Sequence, residues 1–137
     1  MRISEAGLAL IKASEGFRAN TYADLAGNAT IGYGHKLLRG ESYPDGIDEV
    51  YGEQLVQHDL VLPQQQLSLL VPASCTQNQW DALCSFTYNL GILALRTMLG
   101  HGWDQVRVQL PLWNHVKGVV VDGLTKRRAA ELKLFLT

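Results

Sequence analysis

Residues 15–35 read EGFRANTYADLAGNATIGYGH, and the fold turns on how this stretch divides. Gly16 follows an apolar-periodic segment and has no Cβ to penalise a left-handed helix end, so a helix closes at Glu15. Beyond it, Tyr22, Ile31 and Tyr33 interleave with Gly27, Gly32 and Gly34 as a small twisted hairpin. Its strands are expected over residues 20–24 and 29–34, joined through Leu25, Ala26, Gly27 and Asn28. Counting outward from Gly27 pairs Asp24 with Thr30 on one face of the ladder. A helix-end carboxylate, a strand carboxylate and a facing hydroxyl suggest a glycosidase.

Upstream, Ile3, Leu8 and Ile11 with Ala6, Ala9 and Ala13 form one apolar stripe, with Glu5 in the first turn. Downstream, Pro44-Asp45-Gly46 marks a loop, and Asp48 caps a helix carrying Val50, Leu55, Val56 and Leu60. Pro63 should kink or restart that helix before Leu67, Leu70 and Val71. Thr76-Gln77-Asn78-Gln79 is a capping box, and the run that follows, from Trp80 to Leu90, is apolar on nearly every side. It reads as the central buried helix, stopped by Gly91. Residues Trp103 to Leu110 look helical until Pro111, and Gly123 precedes a last amphipathic helix through Leu124, Ala129, Leu132 and Phe135. The fold class is α+β: a small N-terminal hairpin lobe and a larger, mostly helical lobe.

The chain has 137 residues, which fits a single domain over residues 1–137. Its net charge of -1 supplies no basic field for nucleic acid or an anionic membrane surface. No nucleic-acid partner is expected. The first sixteen residues mix apolar and polar positions, unlike the apolar core of a signal peptide, and nothing approaches a membrane span of about 18 apolar residues. A protein made and kept in the cytoplasm, without stable membrane insertion, is the expectation. Cys75 and Cys84 match no metal spacing and are read as two reduced thiols. His35, His58, Asp59 and His115 match no zinc site, so no metal and no cofactor are expected.

Glycoside cleavage needs a carboxylic acid to protonate the leaving oxygen and a second carboxylate for the far face of the sugar. Glu15 suits the first task, because the negative end of a helix dipole favours the protonated form. Asp24, with hydrogen-bonding neighbours at an exposed strand end, suits the ionised base. Thr30 can hold a water beside it, which points to inversion and to carboxyl groups about 6.5–9.5 Å apart.

The spacing of Glu15, Asp24 and Thr30, followed by Ile31-Gly32-Tyr33-Gly34-His35, resembles the phage-type lysozymes of glycoside hydrolase family 24. Tyr43-Pro44-Asp45-Gly46-Ile47, Thr76 to Leu83, Tyr88-Asn89-Leu90-Gly91 and Gly123-Leu124 before Arg127-Arg128-Ala129-Ala130-Glu131 extend that resemblance, to the endolysins of lambdoid phages. It implies a lysozyme-like fold with a cleft between the lobes. It also implies a muramidase that cuts the β-1,4 bond between N-acetylmuramic acid and N-acetylglucosamine in bacterial peptidoglycan. Such a protein serves host lysis as a monomer, waits in the host cytoplasm, and reaches the periplasm or wall with help from a separate membrane-permeabilising protein. Tyr88 and Asn89 match groove positions and are assigned to substrate, with Thr97 beside them. The family layout pairs His35 with Asp59. Lys126, Arg127 and Arg128 read as a solvated face, from which Arg127 could reach and orient Glu15. Between Arg96 and Trp113 the chain is a few residues short of the family pattern. That leaves a second reading, an inactive wall-binding module derived from a lysozyme; a third, a metal hydrolase built on the histidines, lacks any ligand motif.

Overall fold

A computed structural model describes residues 1–137. Helix α1 spans Glu5–Glu15. Ser4 caps it by accepting from the Gly7 N–H, Glu5 complements the dipole in the first turn, and Gly16, at φ 69°, returns its N–H to Lys12. Its buried face, Leu8 and Ile11, meets the central helix α4, Gln77–Leu90. A Cβ on Gly7 would lie 2.8 Å from Cγ of Asp81, so only glycine lets the two helices approach so closely. Asp81, buried in α4, holds the start of α1 by accepting from the Ser4 N–H at 2.9 Å and from its hydroxyl.

The hairpin differs in register from the sequence expectation. Strand β1 covers Arg18–Ala23, β2 covers Ala29–Gly32, and Tyr22, not Asp24, faces Thr30. Asp24 lies past the strand, its N–H on the Asn28 carbonyl and its own carbonyl taking the Gly27 N–H. The cause is local: Oδ1 of Asp24 accepts from the N–H groups of Ala26 and Asn28, the Asx pattern that folds a chain into a turn before the ladder can continue. A third strand, β3, His35–Lys36, pairs Ile31 with His35. Two residues are too few to show a strand period.

Helices α2, Glu49–Asp59, and α3, Val61–Ser68, meet at Leu60. Asp48 caps α2 as expected, and Pro63 falls in the first turn of the restarted helix, where its missing N–H costs nothing. Both arms of the Thr76–Gln79 capping box form. Gly91, at φ 88°, ends α4 and opens α5, Ile92–Leu99. The stretch from Trp103 to Leu110 is not one helix. It splits into a 3-10 turn at Trp103–Gln105, a four-residue helix α6 at Val106–Gln109 and a second 3-10 turn at Leu110–Leu112 that contains Pro111. Burial outweighs helix continuity here: Trp103 packs on Phe135 and Trp113 edge-on against Phe86. An unforeseen hairpin follows, β4 His115–Val116 and β5 Val119–Val120, turned by Lys117 and Gly118, both at positive φ. Helix α7, Asp122–Phe135, closes the chain.

The core lies around α4, where Ile11, Val56, Leu60, Leu67, Leu83, Phe86, Leu95 and Met98 are buried in one cluster with Trp80. Cys75 and Cys84 are free thiols inside it, and burial pushes both thiols up, away from the reactive thiolate. The architecture is α+β as expected, with the sheet lobe on one side of the helical body. No helix is long and apolar enough to cross a membrane.

Candidate active site

Glu15, the last residue of α1, is held from two sides. Arg127 of α7 donates from Nη1 to its Oε1. Opposite, Gly34 stands between β2 and β3 at φ +86°, and a Cβ there would lie 2.8 Å from Oε2 of Glu15. Glycine serves twice at that position: it adopts the left-handed backbone and leaves room for the carboxylate. Arg127 is itself buried, its Nη2 3.3 Å from the Ser85 carbonyl and its Nε 3.4 Å from Oε1 of Glu131. The expected reach of Arg127 to Glu15 is present.

Asp24 sits at the hairpin tip, and three donors face its carboxylate: the N–H groups of Asn28 and Ala26 and the Asn28 side-chain amide. The Asn28 backbone bond is the main cause that holds this carboxyl below the usual range, with the nearby Lys36 charge adding to it. Thr30 is 2% exposed, and its hydroxyl donates to the Asn28 carbonyl at 2.9 Å. Asn28 therefore ties Asp24 and Thr30 together, a job the sequence reading gave to cross-strand pairing.

A groove of about 350 Å³ runs past this hairpin, lined by Gly34, Lys36, Asp59, Tyr88, Asn89 and Gly91 among others. Tyr88 donates its hydroxyl to the Tyr33 carbonyl at 2.8 Å, and burial pushes its phenol up, so it stays a neutral donor. Asn89 accepts from Nη2 of Arg128 at 2.9 Å. Thr97 is not among the lining residues: it lies on an exposed face of α5, its hydroxyl returned to the Leu93 carbonyl. A second cavity, about 620 Å³, lies elsewhere, between the chain start and α2 and α3 around Ile3, Gln57 and Gln64. No carboxylate lines it.

Two further polar clusters support the site. His35 is buried with Nδ1 2.6 Å from Asp59 and Nε2 3.0 Å from Glu41. Burial works against its charge, but the two carboxylates prevail and raise its pKa. Burial also works against Glu41, yet Tyr43, the Leu38 N–H and His35 hold it at about 2. The Asp59 partner was foreseen and Glu41 was not. The second cluster corrects the reading of Lys126 to Arg128 as a solvated face: Lys126 is exposed, while Arg127 and Glu131 are buried against Ser85 and Arg128 is buried against Asn89 and the Trp113 carbonyl. The signal was available, since Arg127 and Glu131 stand four apart on one helix face. No group of three His, Cys, Asp or Glu side chains is placed to hold a metal ion.

Residues 12–131 match the sequence model of the family described as phage lysozyme. The whole chain aligns at 37% identity with the endolysin of Bacillus phage B103, of which it covers 55%, so it spans about half the length of that relative. It is 34% identical to the endolysin of Salmonella phage P22, covering 100% of this chain and 99% of that protein. Among solved structures, the muramidase domain of SpmX from Asticaccaulis excentricus aligns with a TM-score of 0.84 and 33% identity, over 99% of this chain and 98% of that one.

Proposed function

The chain belongs to the phage lysozyme family, and from that premise we propose that it is a muramidase of the endolysin kind. Its substrate is the β-1,4 bond between N-acetylmuramic acid and N-acetylglucosamine in bacterial peptidoglycan. Residues 1–137 form one catalytic domain that acts as a monomer, and in host lysis it reaches the wall once a separate protein has breached the membrane.

The observation that carries this reading is the clamp on Glu15: a buried Arg127 on one side and the Gly34 backbone, with no room for a side chain, on the other. A general acid must meet the leaving oxygen in a fixed pose, and a clamp of this kind supplies it. Asp24, kept ionised by the Asn28 N–H, is suited to take a proton from water. Thr30 spends its proton on the Asn28 carbonyl and keeps its oxygen lone pairs to accept from that water. In sequence, Glu15 protonates the glycosidic oxygen, the bond breaks through an oxocarbenium-like state, and water deprotonated by Asp24 attacks the opposite face. Inversion follows, and the first product is the α-anomer. Tyr88 and Asn89 contact the glycan from the groove.

Clearing of outer-membrane-permeabilised bacteria tests the reading. Glu15→Gln should lower the rate by about 100-fold or more while still binding purified peptidoglycan. Near-native clearing by that variant ends the acid assignment. A proton spectrum of fresh digest in which the β-anomer appears first would overturn inversion and leave the muramidase intact.

A further inference from the structure

The reading above leaves one fully buried carboxylate, Glu131, without a task. Oε1 of Glu131 accepts from the Ser85 hydroxyl at 2.7 Å and from Nη2 of Arg128 at 2.8 Å, with Nε of Arg127 3.4 Å away. Its Oε2 lies 2.7 Å from Nε of Arg128. Since Arg127 turns its far end to Glu15, four charges of alternating sign run from the cleft into the core: Glu15, Arg127, Glu131, Arg128.

The elements packed around this row contribute no further charge to it. From α4 come Ser85, Asn89 and Tyr88, the last a neutral phenol; from the 3-10 turn region comes the Trp113 carbonyl, which accepts from Arg128. Asp59 reaches Tyr88 only through space and is itself paired with His35. Burial raises the Glu131 pKa, and Arg128, the Ser85 hydroxyl and Arg127 act against that; with the row fully ionised, two guanidinium charges and one carboxylate stand behind Glu15, a net charge of about +1.

We infer that Glu131 is a positioning residue for the acid. Arg127 alone would orient Glu15 and, by the same attraction, lock it as a carboxylate that cannot donate. Glu131 offsets that charge from the far side, so Arg127 keeps the orientation while Glu15 can still carry a proton. Without it the charge behind Glu15 rises to about +2 in a poorly screened interior, which favours the ionised acid. The same carboxylate holds Arg128, and Arg128 holds Asn89 at the groove. One buried side chain thus sets both the acid and a glycan contact.

The inference rests on Glu15 as the acid, and its test separates the two. Clearing of purified peptidoglycan is measured from pH 4 to 9 at 10 °C, with folding checked by circular dichroism. Glu131→Gln should move the alkaline limb of the profile to lower pH by on the order of one unit. Arg128→Gln removes a positive charge instead and should move the same limb to higher pH. Glu131→Asp, which keeps the charge, should restore the parent limb. A Glu131→Gln protein that melts earlier but keeps the parent limb would make Glu131 a structural ion-pair partner and nothing more. If Glu131→Gln does not fold, an unmoved or acid-shifted limb in Arg128→Gln overturns the inference. Activity retained in Glu15→Gln would sink the acid reading itself, whereas an inactive Glu15→Gln with unmoved limbs elsewhere sinks this inference alone.

Discussion

The carboxylates of Asp24 and Glu15 are held by opposite means. Asp24 takes its donors from Ala26 and Asn28, two and four residues away, at an exposed hairpin tip. Glu15 takes its donor from Arg127, 112 residues away, and that arginine is fixed in turn by Ser85 and Glu131. A turn of a few residues can set the charge of Asp24, the proposed base, but the pose of Glu15, the proposed acid, exists only once α1, α4 and α7 have packed. Ionisation of Asp24 should therefore survive partial loosening of the helical lobe, and the pose of Glu15 should not.

Removing the remote half of this arrangement should have the largest effect. Arg127→Met leaves Glu15 and Glu131 short of their buried partner, and unfolding in urea should report a loss of about 3–5 kcal/mol with clearing activity gone. A loss under about 1 kcal/mol would mean that the helical seam does not hold Glu15. Asp24→Asn should show the reverse profile. Asn keeps the turn-forming acceptor oxygen, so the thermal midpoint should barely move, while clearing falls by about 100-fold or more. Gly34→Ala sits where the two regions meet: left-handed backbone costs about 1–2 kcal/mol, and the new Cβ pushes on Oε2 of Glu15, so stability and rate should both drop.

The hairpin lobe also carries a pH dependence of its own. His35 has a raised pKa, so its pairing with Asp59 and Glu41 contributes fully below its ordinary value of 6.5 and fades as pH rises through the raised one. Glu41, lowered to about 2, contributes above its ordinary 4.5 and loses that as pH falls towards 2. The gap in thermal midpoint between the parent and His35→Asn should thus be widest between pH 4.5 and 6.5 and shrink at pH 9; a gap that widens at pH 9 would refute the pairing. Thr97→Ala should do least. On an exposed face of α5 it should change stability by less than about 0.5 kcal/mol and leave clearing unchanged, and a raised KM would instead bring Thr97 to the glycan.

Much of the site was legible because its signals are short-range. Gly16 ending α1 at Glu15 and the Thr76–Gln79 box opening α4 are each decided within four residues, and both formed as read. The hairpin was legible as a hairpin but not in register, since pattern alone could not say that the Asp24 side chain would claim the Ala26 and Asn28 N–H groups and close the turn early. Glu41 escaped notice for a related reason: its partner His35 lies six residues away across a loop with no period to follow.

The sequence by itself determined the helix ends, the glycine-rich hairpin, the spacing of Glu15, Asp24 and Thr30, and with these the family. Tertiary structure alone decided which charges are buried. Lys126, Arg127 and Arg128 are consecutive cations, yet only the last two are covered by α4, and Glu131 is 0% exposed on the same helix. The broken stretch from Trp103 to Leu112 belongs with them, because Trp103 and Trp113 bend the chain to reach Phe135 and Phe86. Caps and turns are settled by groups a few bonds away, whereas burial depends on the neighbour that covers a face, and that neighbour is supplied by a part of the chain no local rule can reach.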